Sequence, residues 1–166
     1  MEHLAQLLYF MAPAYVANMA PPFLKFWSGW NRPISARWLG THKTVLGFAA
    51  GVAAGLATAG AQAAIDWQGN FVDYRGTWPW IGLALGGGAL TGDALKSLLK
   101  RRCGIAPGSR WIPADQLDFV FGALLFSAPL VHLGWRDIAA IAAVSFAGDI
   151  AVNHASFALG IRDTRW

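Results

Sequence analysis

Five apolar stretches, each about as long as the hydrocarbon core of a bilayer is thick, limit what this chain can become. They occupy residues 4–26, 45–65, 80–99, 117–133 and 137–159, against the ~20 residues that a helix needs to cross ~30 Å. With 55% hydrophobic and only 13% charged residues among 166, the chain is far poorer in charge than the usual quarter of a soluble domain. The expectation is a single-domain, all-α integral membrane protein of five transmembrane helices. Its first stretch opens on Glu2 and His3 rather than a basic segment and carries no convincing cleavage site, so it reads as a retained helix.

Alternating the connections between the two faces places Lys25, Arg32, Arg37, Lys43, Lys96, Lys100, Arg101, Arg102, Arg110, Arg162 and Arg165 on one side. Only Arg75 and Arg136 remain for the other. Basic residues accumulate on cytoplasmic loops, so the N-terminus is expected outside and the C-terminus in the cytoplasm of a cell (inner) membrane protein. The same rule accounts for the net charge of +4 without a nucleic-acid partner. The nine tryptophans fall in connections or at the ends of the stretches, where an interfacial aromatic belt belongs.

Gly47, Gly51 and Gly55 recur every fourth residue and line one helix face, which suits either internal packing or a homodimer or membrane-complex contact. Gly86, Gly87 and Gly88 give the third stretch a segment suited to close packing or an irregular backbone. The single cysteine, Cys103, excludes a disulfide framework and a cysteine-type zinc site. His3, His42, His132 and His154 have no metal-ligand spacing, and no serine or cysteine nucleophile with a base is evident.

Acids inside an apolar span are costly, by roughly 2.5 to 3.5 kcal/mol on insertion scales, and mark functional candidates unless paired. Asp93 has Lys96 and Lys100 at helical spacing, and ion-pairing with Lys96 is its plain structural explanation. Asp149, with Asn153 and His154 one turn on, is open to the reading of a hydrogen-bonded packing acid. The densest group is Lys96, Ser97, Lys100, Arg101 and Arg102, a Gly/Pro connection, then Asp115 and Asp118. A fourth helix starting near Asp115 puts Asp115 and Asp118 on one face, as ligands for one cation or as helix-end carboxylates. Phosphoryl chemistry needs oxygen ligands for magnesium and fixed cations for phosphates, and this connection holds both. Lys43 and Thr44 add a phosphate-contact pair that lacks the glycine pattern of a P-loop.

With these residues in place, the chain resembles the CDP-archaeol synthase family, which belongs with the CDP-diacylglycerol synthases among membrane CTP:lipid-phosphate cytidylyltransferases. The resemblance runs almost end to end. It is carried by Pro13-Ala14-Tyr15-Val16-Ala17-Asn18 with Pro21, and by Leu39-Gly40-Thr41-His42-Lys43-Thr44 with Gly47. It continues through Gly88-Ala89-Leu90-Thr91-Gly92-Asp93, Ser97, Lys100-Arg101-Arg102, Gly104, Pro113 and Asp115-Gln116-Leu117-Asp118-Phe119-Val120. Asn153, Leu159-Gly160-Ile161-Arg162 and Trp166 are similar to its closing pattern. Two positions depart: Leu46 stands where the family commonly has arginine, and Thr41 where it commonly has an acidic residue.

The resemblance implies reaction of CTP with a membrane lipid phosphate to give a CDP-lipid and pyrophosphate, with Mg2+ as cofactor. The expected site lies between cytoplasmic loops 27–44 and 100–116. Its expected catalytic residues are Lys43, Asp93, Lys96, Asp115 and Asp118, with Asp93, Asp115 and Asp118 on the metal. Asn18, Lys43, Thr44, Ser97, Lys100, Arg101 and Asn153 are the expected nucleotide contacts, the two asparagines being equally suited to helix-helix hydrogen bonding. The competing class is a non-catalytic membrane protein of the same fold, a transporter or an assembly partner.

Overall fold

The structure, a computed structural model, describes residues 2–27, 29–106 and 109–160. Ile161, Arg162 and Trp166 of the closing pattern, Arg165 of the charge count and the side chain of Lys25 lie outside the described residues. Five α-helices follow one another: α1 (Glu2–Met19), α2 (Val45–Ile65), α3 (Tyr74–Arg102), α4 (Ala114–Ser127) and α5 (Trp135–Ala158). A short 3-10 helix, Pro21–Phe26, follows α1. The all-helical, five-helix expectation is met among the described residues. By length and composition, α2 and α5 on their own suffice to cross a membrane.

Several helix ends differ from the expected ones for local chemical reasons. The first stretch does not continue to Phe26 as one helix, because Pro21 and Pro22 follow α1 and neither offers an N–H to its ladder. Tyr74 rather than Trp80 starts α3, since Asp73 caps it by accepting from the Gly76 N–H at 3.4 Å, and Pro79 is accommodated inside. Its last turn carries Lys100, Arg101 and Arg102, which suit the negative end of the helix dipole. α4 stops at Ser127 instead of Leu133: Ala128 still holds helical angles and donates to the Leu124 carbonyl, but Pro129 after it has no N–H to continue the ladder. At α2 the expectation of 45–65 is met: the Thr44 hydroxyl accepts from the Gly47 N–H at 3.0 Å, and Asp66 ends the helix in the left-handed conformation at φ 51°.

Glycine faces set the packing. A Cβ on Gly55 would sit 3.0 Å from the Gly86 Cα, and one on Gly51 would strike Leu90 and the Ala17 carbonyl. The Gly47-Gly51-Gly55 face is thus filled from within the chain, Gly47 by Thr44 and Pro21, Gly51 and Gly55 by α1 and α3. α3 remains an unbroken helix through Gly86, Gly87 and Gly88, so of the two expectations for that segment close packing holds, at Gly86 against α2 and at Gly88 against α4. Gly88 and Gly92 of α3 cross Gly122 and Asp118 of α4 with backbone against backbone. The core of Leu7, Phe10, Met11, Ala14, Ile81, Leu85, Ala89, Phe119, Val120, Ala123 and Ile141 is sealed around these crossings. α5 is the least embedded helix: of its residues only Ile141, Ser145 and Asn153 are buried.

Candidate active site

The end of α3 and the start of α4 form the site because the glycine crossing leaves their backbones almost touching there. On α3, Asp93, Lys96, Ser97 and Lys100 follow at helical spacing and share a face. On α4, Asp115 and Asp118 lie three residues apart in its first turns. Gly92 abuts the backbone of Asp118, which brings Asp93 and Lys96 beside the Asp118 carboxylate.

One ammonium gathers the three acids. Lys96 Nζ lies 2.7 Å from Asp118 Oδ2, 3.3 Å from Asp93 Oδ1 and 3.3 Å from Asp115 Oδ1. The Asp93–Lys96 pair expected from spacing is present, but Asp93 also pairs with Lys43, which arrives from the α1–α2 connection. That connection is pinched where Ile34 N–H donates to the Lys43 carbonyl at 2.8 Å and Val45 N–H to the Arg32 carbonyl at 2.9 Å. The pinch fixes where Lys43 enters.

Lys100, also spaced to reach Asp93, takes another partner. Its ammonium donates to Asp115 Oδ1 at 2.9 Å, to Asp115 Oδ2 at 3.1 Å and to the Ser109 carbonyl at 2.5 Å. The buried Lys100 thus folds the α3–α4 connection back onto α4. Trp111 N–H adds a bond to Asp115 Oδ2 at 2.6 Å. Partial burial pulls the Asp115 carboxyl upward, but the Lys100 bond, the Lys96 charge and the Trp111 N–H outweigh it and hold the group below the usual carboxylate range.

The remaining expected residues are spread around this cluster. Thr44 caps α2 and Ser97 donates to the Asp93 carbonyl at 2.9 Å, so both hydroxyls already have backbone partners. Arg101 keeps a buried Nε that has no hydrogen-bond partner. Asn18 is half-buried at the end of α1. Asn153 is buried on α5 and donates to Asp149 Oδ2 at 2.8 Å, which supports the packing reading for that acid.

Sequence reasoning overlooked Tyr15, whose hydroxyl hydrogen-bonds Ser145 Oγ at 2.7 Å and whose ring meets Phe119 edge-on at 6.0 Å. It ties α1 to α5 and α4 next to Asp118, and its place within the run Pro13-Ala14-Tyr15-Val16-Ala17-Asn18 was the available signal. Two surface cavities, of about 300 and 480 Å³, lie at the opposite end of the bundle around residues 66–74 and around Trp80 and His132. They include none of the cluster.

Chemically, the cluster is an oxygen-rich group of ion pairs: three carboxylates, Asp93, Asp115 and Asp118, face three ammonium groups, Lys43, Lys96 and Lys100. Oxygen donors of this kind suit a hard divalent cation such as magnesium. Among the described residues no three carboxylate, imidazole or thiol side chains close on one another as a ready ligand set; the aspartates close on Lys96 instead.

The whole chain, residues 1–166, matches the CarS-like CDP-archaeol synthase family. The chain belongs to the CDP-archaeol synthase family. It is 35% identical to the CDP-archaeol synthase of Aeropyrum pernix, over 99% of this chain and 94% of that protein. It is 31% identical to that of Methanospirillum hungatei, over 94% of this chain and all of that protein. A solved structure described as an intramembrane enzyme for archaeal membrane lipids biosynthesis superimposes with a TM-score of 0.74 at 32% identity, covering 88% of this chain and 91% of the other. A CDP-archaeol synthase fold places this chain among membrane enzymes and favours the nucleotidyltransferase over the non-catalytic alternative.

Proposed function

We propose that the chain crosses the cell membrane five times, N-terminus outside, and transfers a cytidylyl group from CTP to an archaeal-type ether lipid phosphate at the α3–α4 cluster. The observation that carries this reading is the convergence of Asp93, Asp115 and Asp118 on Lys96, with Lys43 delivered to the same point. The site-bearing ends of α1, α2, α3 and α4 also carry most of the basic residues, which supports a cytoplasmic site. At 29 residues α3 is about 44 Å long, enough to cross the bilayer and carry Lys100 to Arg102 beyond the hydrocarbon. Asp115 precedes the fourth apolar stretch and sits at headgroup level.

In the proposed reaction an ionised oxygen of the lipid phosphate attacks the α-phosphorus of CTP. A new P–O bond forms as the bond to the β-phosphate oxygen breaks, and pyrophosphate leaves with the electron pair. The nucleophile is already ionised near neutral pH, so no side chain need remove a proton. Catalysis then rests on alignment and on neutralising charge. Lys43 and Arg101 bind phosphate oxygens, Lys96 holds the three carboxylates together, and Lys100 fixes Asp115. The N-termini of α2 and α4 add favourable dipoles toward the anion. Because the cluster is balanced at three acids and three ammonium groups, a triphosphate calls for further positive charge. Mg2+ held by Asp93, Asp115 and Asp118 would supply it by neutralising phosphate oxygens.

Incubating the purified protein with radiolabelled CTP and a panel of ether-linked lipid phosphate, phosphatidic acid and polyprenyl phosphate tests the reading. A labelled ether CDP-lipid, formed only with magnesium, is the expected product. No labelled lipid from any member of the panel contradicts the proposal.

A further inference from the structure

We propose that the connection between α1 and α2 is a lipid-headgroup recruitment surface, lying in the interfacial layer and gripping anionic headgroups through Arg32 and Arg37. The inference rests on the reading that the helices cross a bilayer. Among the described residues, five large apolar side chains in this connection, Phe23, Trp27, Trp30, Ile34 and Trp38, are exposed, each by more than 40%. None belongs to an α-helix of the bundle, so helix packing does not cover them. A water-facing loop is a costly place for such a set, whereas indole rings favour the headgroup layer.

Two features name the occupant. Arg37 lies with its guanidinium 4.9 Å from the centre of the Trp38 ring, a cation and an aromatic surface presented together, and Arg32 flanks Trp30. Paired guanidinium and indole groups match a bilayer surface that is anionic outside and apolar beneath. The connection also emerges from α1 at Met19 and returns into α2 at Val45, so both of its ends are held at one end of the bundle.

The same loop reaches the reaction centre. Ile34 and Lys43 are backbone partners across the pinch, Pro33 and Thr44 form its bridge, and Lys43 pairs with Asp93. Leaflet contact at Trp30, Ile34 and Trp38 therefore holds the segment opposite Lys43, and a phosphate gathered by Arg32 and Arg37 is delivered beside the cluster. Guanidinium groups suit this task because they bind phosphate oxygens bidentately.

Two measurements on the full chain in nanodiscs of neutral lipid test it. In the first, lipids brominated next to the headgroup quench tryptophan fluorescence, and the Trp30→Phe/Trp38→Phe variant is expected to lose a clear part of that quenching. Equal fractional quenching in the variant and wild type, with those two emissions insensitive to bromine at any depth, overturns the surface contact. This readout holds in a protein that transfers no nucleotide, so it separates failure of the inference from failure of the proposed reaction. In the second, Arg32→Gln/Arg37→Gln is expected to raise KM for the lipid phosphate by about fivefold per arginine, with KM for CTP unchanged. An unchanged lipid KM, or an equal rise for CTP, contradicts headgroup recruitment.

Discussion

Gly92 of α3 is seated against the backbone of Asp118 of α4, with no space between them for a Cβ. The contact joins fold to chemistry, because the carboxylate of Asp118 reaches Lys96 only while the two helices remain this close. Gly92→Ala is expected to push α3 from α4, cost about 1 to 3 kcal/mol as overpacking, and abolish CDP-lipid formation. Gly87→Ala is the comparison, since a Cβ there meets nothing within 4 Å, and it should retain activity with unchanged or slightly raised thermal stability. Thermal unfolding in detergent and the CTP assay read both variants.

Lys96→Met removes the cation shared by three carboxylates and leaves them facing one another in a largely buried place. Turnover is expected to fall by a factor on the order of 100 or more, and thermal stability to fall with it. Thermal unfolding in detergent and the CTP assay measure the two losses.

The Lys100–Asp115 pair gives a pH signature. Asp115 ionises at lower pH in the folded chain than in the unfolded one, so its pairing stabilises the fold above the unfolded carboxylate pKa of about 4 and is lost as pH falls through the lower folded value. The difference in unfolding temperature between wild type and Lys100→Met should therefore be largest at neutral pH and shrink on acidification below about pH 4. A difference that grows on acidification would contradict the pairing. Unfolding scans across this range measure it.

Leu46 lies in the first turn of α2, three residues beyond Lys43, at one of the two positions where the chain departs from the pattern it resembles. Leu46→Arg should place a second cation beside the Lys43 entry point and lower KM for CTP several-fold, by roughly the 1 kcal/mol or so that a charge-assisted contact contributes. Initial-rate kinetics at saturating lipid phosphate measure the change.

Much of the bundle was legible because its signals are local. Apolar length marked five helices and set the bounds of α2 at Val45 and Ile65. Helical spacing put Asp93 with Lys96, and Asp115 with Asp118. The Lys43–Asp93 pair joins residues 50 apart and depends on how the pinched connection folds, which no periodicity encodes. Lys100 fits Asp93 by spacing, yet the α3–α4 connection curls back and supplies Asp115 and the Ser109 carbonyl instead. Ends were misjudged where proline acts: hydropathy runs on past Met19 and Ser127, but Pro21 and Pro129 stop the ladders. Tyr15 was missed because a tyrosine in an apolar helix is ordinary until Ser145 of α5 is seen against it.

The most direct test of the account is magnesium-dependent formation of CDP-lipid from labelled CTP and an ether-linked lipid phosphate, comparing wild type with Asp118→Asn in the same detergent. Wild type is expected to give the labelled lipid, and Asp118→Asn, folded by its unfolding curve, to give none above background. Full activity in Asp118→Asn would contradict the assignment of the α3–α4 cluster as the reaction centre.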